Sequence, residues 1–153
     1  MTLNTQQIDN FKNQFETLLI SIINGAIESP KNITDRVKTF DDALTIIGGP
    51  SENFKILMSY NGFDPFMNGA IAMAKLNIIA DALNEGWKPD WTNASEYKWY
   101  PYFKKAGSGL SFHVADDWRT GTVVGSRLCF KSRELAEYAA NQFKDIYSQF
   151  MAL

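Results

Sequence analysis

The sequence is poor in the residues that build covalent, metal and histidine-dependent sites. Its 153 residues include one cysteine, Cys129, and one histidine, His113. A single cysteine excludes an internal disulfide, and neither a cysteine-rich zinc site nor a site of several imidazoles can be assembled. No second histidine is available to a triad. Ser126 lacks the flanking glycine pattern of a nucleophile elbow, in which a glycine lies two positions before and two positions after the serine. The sequence therefore predicts no metal, no cofactor and no enzymatic activity.

Long apolar segments are also missing. No stretch approaches the ~20 apolar residues of a membrane-spanning helix. The first residues lack the basic start and apolar run of a signal peptide. Together with the single cysteine, these observations predict a cytoplasmic protein in a reducing compartment, with no membrane partner.

A nucleophilic pair of Cys129 and His113 is disfavoured by strand geometry. If the strands that carry them pair through a tight turn, His113 faces a residue near Val123, about six positions from Cys129. At ~3.3 Å per residue this separation is about 20 Å, which is beyond hydrogen-bond reach. Cys129 is therefore expected to be an inert core residue.

Positive charge and aromatic residues are concentrated in one part of the chain. Residues 87–133 carry eight Lys/Arg against four Asp/Glu, whereas the net charge of the whole chain is −2. All four tryptophans also lie there. Aromatic rings among cations are typical of surfaces that stack on flat rings and neutralise phosphates, although a well-filled small core has the same composition.

Hydrophobic periodicity predicts a mainly helical first part, residues 1–86. The first helix is expected over about 6–24, where apolar residues recur at helical spacing, with Gly25 as its stop. A second helix is expected to begin at a capping box formed by Thr39 and Asp42, and a further short one at Ser51.

The clearest predicted element is a central helix. Asp64 is expected to be its N-cap, Pro65 its first residue and Gly86 its end. Its apolar face is broad, which predicts that other elements cover it on more than one side.

The remaining sequence predicts a sheet and a closing helix. Three strands are expected over 97–103, 110–115 and 122–131, and their links are too short for parallel crossovers. A last helix is expected to begin after Ser132 and to reach about Phe150. The predicted fold is α+β: N-terminal helices and a central helix packed with a three-stranded antiparallel meander (87–131) and a C-terminal helix (132–151), in a single domain, 1–153.

The working surface is expected on one side of the sheet. Strand alternation places Tyr97, Trp99, Pro101 and Phe103 on one side of the first strand and the neighbouring cations and tyrosines on the other. Pro101 predicts an edge strand that a ligand can approach. The candidate ligand-binding residues are Lys98, Tyr100, Tyr102, Lys104, His113, Arg119 and Arg127.

Arg127 has two possible roles. It lies in a segment suited to burial and therefore needs an anionic partner. Asp116, Asp117 or Glu96 would supply one within the protein, and a phosphate or carboxylate ligand would supply one from outside. The sequence leaves both alternatives open.

Several motifs resemble a family of uncharacterised small proteins of gut Bacteroides-type bacteria and their phages. The motifs are ALNEGWKPDW (82–91), YKWYPYF (97–103) and VGSRLCFKS (124–132). The resemblance covers roughly residues 70–150. It implies a cytoplasmic setting in a bacterial host cell, with a phage as one source. It implies no site residues, because the family has no assigned activity.

The first functional hypothesis is a non-enzymatic binding module. Its aromatic and basic sheet face would engage a nucleotide or a short single-stranded nucleic acid, through stacking and phosphate neutralisation. The alternative is a structural or host-protein-interaction protein of a phage or mobile element, with the aromatic residues as interface anchors. The sequence does not decide the oligomeric state.

Overall fold

The chain is described from a computed structural model over residues 5–27, 32–59, 65–107, 109–121 and 127–151. Backbone contacts divide it into two compact units, Met1–Lys31 and Asn32–Leu153. The first contains one described helix, and the second contains the other described helices and a sheet. The expectation of a single domain over 1–153 stays a prediction.

The helix of the first unit is α1, Thr5–Ile27. It continues through Gly25, so the expected stop at this glycine is wrong. Glycine within a helix costs about 1 kcal/mol relative to alanine, which neighbouring helix-forming residues can offset. Side chains 5–23 of α1 are all exposed.

Three short helices open the second unit, and a side-chain cap begins each. The predicted capping box is confirmed: the Thr39 hydroxyl accepts from the Asp42 amide at 3.1 Å, and the Asp42 carboxylate accepts from the Thr39 amide at 2.8 Å. The predicted cap Ser51 accepts from the Phe54 amide at 3.2 Å. The first of the three helices, capped by Asn32, was not predicted. Their bounds are α2 Ile33–Arg36, α3 Phe40–Ile46 and α4 Glu52–Met58.

The predicted central helix is α5, Pro65–Asn84. It begins at Pro65 as expected, while its predicted cap Asp64 lies outside the described residues. The chain leaves the helix with positive φ at Glu85 (49°) and Gly86 (84°). Gly86 tolerates this left-handed conformation because it has no Cβ. Helix α3 and the two helices that close the chain contact α5, so more than one element covers it, as its broad apolar face predicted.

The sheet has two strands, β1 Lys98–Ala106 and β2 Gly109–Trp118, which pair antiparallel. Tyr102 pairs with Val114, but the next residue of β1 pairs with Phe112. This irregularity leaves His113 without a partner in the register, as expected for a β-bulge.

The expected three-stranded meander is wrong, although the α+β class is correct. Of the predicted third strand, the described residues 127–131 form one isolated bridge, in which Phe130 exchanges backbone hydrogen bonds with Trp99 at 2.7 and 3.0 Å. The reason is a side chain from α5. Asn84 binds the carbonyl of Cys129 and the amide of Lys131, so these backbone groups are satisfied without a neighbouring strand.

Two helices, rather than one, close the chain: α6 Arg133–Gln142 and α7 Lys144–Met151. The predicted cap Ser132 is confirmed, because its hydroxyl accepts from the Leu135 amide at 3.3 Å. The break falls at Phe143, whose φ of −113° and ψ of 27° depart from helical values. Phe143, at the break, and Tyr147, in α7, are both buried.

The core of the second unit lies between α5, the short helix α3, the closing helices and one side of the sheet. Small alanines allow close approach of the helices, and larger side chains fill the remaining space. None of the helices in the described ranges combines the length and hydropathy needed to cross a bilayer. The most deeply buried large side chains are Lys98, Phe130, Leu76, Ile79, Leu83, Val37 and Cys129.

Candidate functional site

The loop between α5 and β1 is organised around a buried lysine. The Lys98 side chain is 0% exposed. Its Nζ donates to the backbone carbonyls of Asn93 at 3.0 Å and Glu96 at 3.1 Å, and it lies 3.1 Å from Glu96 Oε1. The ring of Trp91 lies 5.6 Å from the same nitrogen. All three ammonium donors therefore have partners, and Lys98 stabilises the loop instead of presenting its charge to a ligand.

The same loop is closed by further local hydrogen bonds. The Asp90 amide donates to Glu96 Oε1 at 2.8 Å. The Asp90 carboxylate accepts from the hydroxyl of Thr92 at 2.6 Å and from its amide at 2.9 Å. These two bonds to Thr92, led by the hydroxyl, hold the pKa of Asp90 below its usual value. Charged and polar groups of the loop are thus satisfied within it.

Tyr100 is also turned inward. Its ring is buried and stacks on Trp118 with centroids 5.1 Å apart, and its hydroxyl donates to Asp116 Oδ2 at 3.3 Å. Burial, followed by the nearby charge of Asp116, raises the pKa of Tyr100 to about 12. The side of β1 that was expected to meet a ligand is therefore divided, since Lys98 and Tyr100 are buried and Tyr102 and Lys104 are exposed.

Three of the predicted residues come together on the exposed part of the sheet: Tyr102, Lys104 and His113, here called the sheet patch. Lys104 Nζ lies 2.8 Å from His113 Nε2, and the Tyr102 and His113 rings meet edge-on at 6.1 Å. An ammonium group has no lone pair, so Nε2 is the acceptor and a neutral His113 carries its proton on Nδ1. Within the described ranges, Lys104 forms no ion pair. The patch thus offers an exposed ring beside an uncompensated cation.

Arg119 lies in a separate arrangement. Its guanidinium stacks over the ring of Tyr97 at 3.5 Å, Nε binds Asp117 Oδ1 at 3.2 Å, and Nη1 donates to the Ala94 carbonyl at 3.1 Å. Asp117 balances its charge. Arg119 therefore joins the end of β2 to the loop before β1.

Arg127 lines a cleft of about 320 Å³ beside the end of α5, here called the Arg127 cleft. Trp87 supplies a flat wall. Lys88 and Asp81 form an ion pair at its rim, with Nζ and Oδ1 2.8 Å apart. The lining residues are Asp81, Asn84, Trp87, Lys88, Pro89, Arg127 and Cys129.

The internal partners that the sequence suggested for Arg127 are engaged elsewhere. Glu96 pairs with Lys98, Asp117 pairs with Arg119, and Asp116 accepts the hydroxyl of Tyr100. Among the residues that the structure describes, no carboxylate forms an ion pair with Arg127. Arg127 is an exposed residue that lines the cleft.

Sequence reasoning did not find the cleft or its walls. Neither Asn84 nor Trp87 was among the predicted ligand-binding residues. The available signal was the run Trp87-Lys88-Pro89, an aromatic residue and a cation directly after a helix stop. This run forms a cleft only together with Arg127, which lies forty positions further along the chain. The sequence does not indicate that the two segments are close in space.

Cys129 has the properties of a packing residue. It is buried, and burial raises the pKa of its thiol to about 11, so the reactive thiolate is not populated at neutral pH. In the described ranges, no three His, Cys, Asp or Glu residues are placed to hold a metal ion.

The raised thiol pKa predicts a loss of stability in alkali. Because the folded pKa of about 11 exceeds the ordinary value of 9.0, the neutral thiol stabilises the fold below pH 9, and this contribution is lost as the pH rises through 11. At pH 10 the loss from Cys129 should be about 1 kcal/mol. Urea unfolding at pH 7 to 10 should show that the free energy of unfolding falls more steeply with pH in the wild type than in Cys129→Ser. Equal slopes would show that the thiol does not titrate as described.

Cys129→Ser should also keep the fold at neutral pH. Tyr100 and Tyr147 likewise have pKa values raised by burial, so both proteins should lose further stability above pH 10. The effect of the Cys129 thiol is therefore measured as the difference in the free energy of unfolding between the wild type and Cys129→Ser, at pH values up to 10.

Similarity to known proteins does not indicate a function for this chain. No protein-family model matches it, and no curated protein or solved structure does either. The two basic surfaces, the sheet patch and the Arg127 cleft, are the structural basis for a functional proposal.

Proposed function

We propose that this protein is a non-enzymatic binding module for a nucleotide or a short single-stranded nucleic acid, with Arg127 as the phosphate-binding residue. One observation carries the proposal. An exposed arginine lines a concave site while the three carboxylates that were its expected partners are engaged elsewhere. Arginine is the residue best suited to bidentate binding of a phosphate.

The dimensions and chemistry of the Arg127 cleft suit a mononucleotide. Its volume of about 320 Å³ lies at the lower end of the range for small-molecule sites. The flat ring of Trp87 suits stacking on a base or sugar face. Asp81 lies in the cleft as well, but Lys88 at 2.8 Å offsets its charge, so Arg127 leaves the cleft attractive to an anion.

The sheet patch would add contacts for a longer strand. Tyr102 exposes a ring on which a base can stack, and Lys104 can offset a phosphate charge. Stacking contributes ~1 to 3 kcal/mol per base. A single nucleotide would use the cleft alone, whereas a strand would use the patch as well.

Arg127→Ala should weaken nucleotide binding at least tenfold. A hydrogen bond to a charged group contributes about 1.5–3 kcal/mol, and 1.4 kcal/mol corresponds to tenfold in affinity. Isothermal titration with ribonucleoside 5′-diphosphates at low salt measures the change. Arg133→Ala is the matched control, because this exposed arginine pairs with Glu137 at 2.9 Å and lies outside the cleft. It should bind like the wild type.

A second variant separates a nucleotide from a strand. Tyr102→Ala should weaken binding of a short oligonucleotide and leave binding of the diphosphates unchanged, and added salt should weaken both. Absence of any binding at low salt would contradict the proposal. Equal losses in Arg127→Ala and Arg133→Ala, or unfolding of Arg127→Ala, would show that Arg127 is not the specific phosphate contact.

The second candidate is a structural or host-protein-interaction protein of a phage or mobile element. The observation that favours it is α1, whose side chains are exposed although many are large and apolar. Large exposed apolar surfaces mark interaction sites in most proteins that carry them. This candidate replaces the first if the titrations detect no nucleotide or oligonucleotide binding.

A further inference from the structure

Helix α1 carries a regular apolar stripe. Its spacing alternates between three and four residues, which is the pattern of positions a and d in a heptad repeat. The side chains of the stripe are between 40% and 69% exposed. They are Ile8, Phe11, Phe15, Leu18 and Ile22.

A helix with this stripe requires a partner to be stable. Its 23 residues span roughly 34 Å at 1.5 Å per residue. Single helices of this kind gain most of their stability from packing of the apolar face rather than from intrinsic propensity. Leu19 and Ile23 widen the stripe on one side, which is typical of helices that pack in a bundle.

The apolar area is close to what a stable interface needs. Each of the seven apolar side chains exposes roughly 100 Å², so the stripe offers roughly 700 Å² per helix, compared with ~800 Å² per partner in a standard interface. A second helix with the same stripe would cover this area.

The charges along α1 allow pairing with an identical helix. In the heptad, the positions that flank the a and d seam are occupied by Gln7, Lys12, Gln14, Leu19 and Ser21. One of them is charged, so two copies meet without a row of like charges opposing each other.

We infer that α1 is a self-association helix and that its partner is the α1 of a second copy of this chain. The interface consists of the heptad stripe, with Phe15 near its midpoint. This inference is independent of the nucleotide proposal, because it uses no residue of the Arg127 cleft or the sheet patch.

The oligomeric state of the full chain tests the inference. Light scattering coupled to size exclusion should give a multiple of the 17.3 kDa chain mass for the wild type. The double variant Phe15→Gln with Leu18→Gln should elute as a monomer. Asn13→Gln, outside the stripe on the same helix, should keep the wild-type mass. Tryptophan fluorescence should be unchanged in both variants, because every tryptophan lies outside α1.

A cross-linking experiment addresses the seam directly. In a Cys129→Ser background, Phe15→Cys should form a disulfide-linked dimer under mild oxidation, whereas Asn13→Cys should not. The midpoint of the seam lies near its own copy in either helix orientation, which makes this readout independent of parallel or antiparallel pairing.

Two results would overturn the inference. One is a wild-type protein that is monomeric at ~100 µM, well above the Kd of a standard-size interface. The other is a tryptophan spectrum that shifts in the double variant with no change in mass, which would show that the stripe packs within its own chain.

Discussion

Lys98→Met should lower the free energy of unfolding by about 3–5 kcal/mol, since removing one partner of a buried ion pair leaves the other charge uncompensated. Methionine keeps the apolar stem but removes the ammonium group. Glu96 would then remain beside two backbone carbonyls that have lost their donor. Urea unfolding followed by tryptophan fluorescence measures the change, and Trp91 beside the ammonium is a local reporter.

Lys104→Met is the matched control for this prediction. It makes the same chemical change in the same strand, but Lys104 is exposed and contacts His113 instead of a carboxylate. The free energy of unfolding of Lys104→Met should lie within about 1 kcal/mol of the wild-type value, as is usual when an exposed polar contact is removed. If Lys98→Met proved as stable as Lys104→Met and lost nucleotide binding, Lys98 would be a ligand residue, as its sequence position suggested.

Asn84→Ala should cost about 2–6 kcal/mol, because it leaves a buried carbonyl and a part-buried amide of the backbone without partners, and each costs about 1–3 kcal/mol. The Asn84 amide donates to the Cys129 carbonyl at 2.8 Å, and its carbonyl accepts from the Lys131 amide at 3.0 Å. Urea unfolding gives the total cost. Hydrogen exchange of the Lys131 amide gives the local effect, and its protection should be lost in the variant.

Asn77→Ala is the control within the same helix. The side-chain oxygen of Asn77 is buried but accepts no hydrogen bond from the described part of the chain. Removing this oxygen therefore breaks no hydrogen bond to the described residues. It should therefore destabilise the protein clearly less than Asn84→Ala. Equal losses in the two variants, with the Lys131 amide still protected, would mean that Asn84 does not anchor the segment.

Most of the helices follow from local sequence signals. The capping box of Thr39 and Asp42, the cap Ser51, the first-turn Pro65 and the cap Ser132 all act within a few residues of where they lie. Such signals are readable from a sequence because the groups that they satisfy are neighbours in the chain. Gly25 failed as a stop because glycine weakens a helix without interrupting its hydrogen bonds.

The third strand could not be excluded from sequence. Residues 128–130 are buried and apolar, which is typical of a strand, but the partner of the Cys129 carbonyl is the Asn84 side chain, 45 positions earlier in the chain. A backbone segment can be satisfied by a strand or by a side chain. Composition does not distinguish these two outcomes, because both require burial.

By itself, the sequence determined the α+β class, most helix starts, the concentration of positive charge in residues 87–133 and the lack of cysteine and histidine clusters. Tertiary structure decided which cations a ligand can reach. Strand alternation places Lys98 and Lys104 on the same side of β1, yet the loop closes over Lys98, whereas Lys104 lies exposed beside His113. The physical reason is that the cost of burying a charge depends on the partners that the fold supplies, and those partners come from distant parts of the chain.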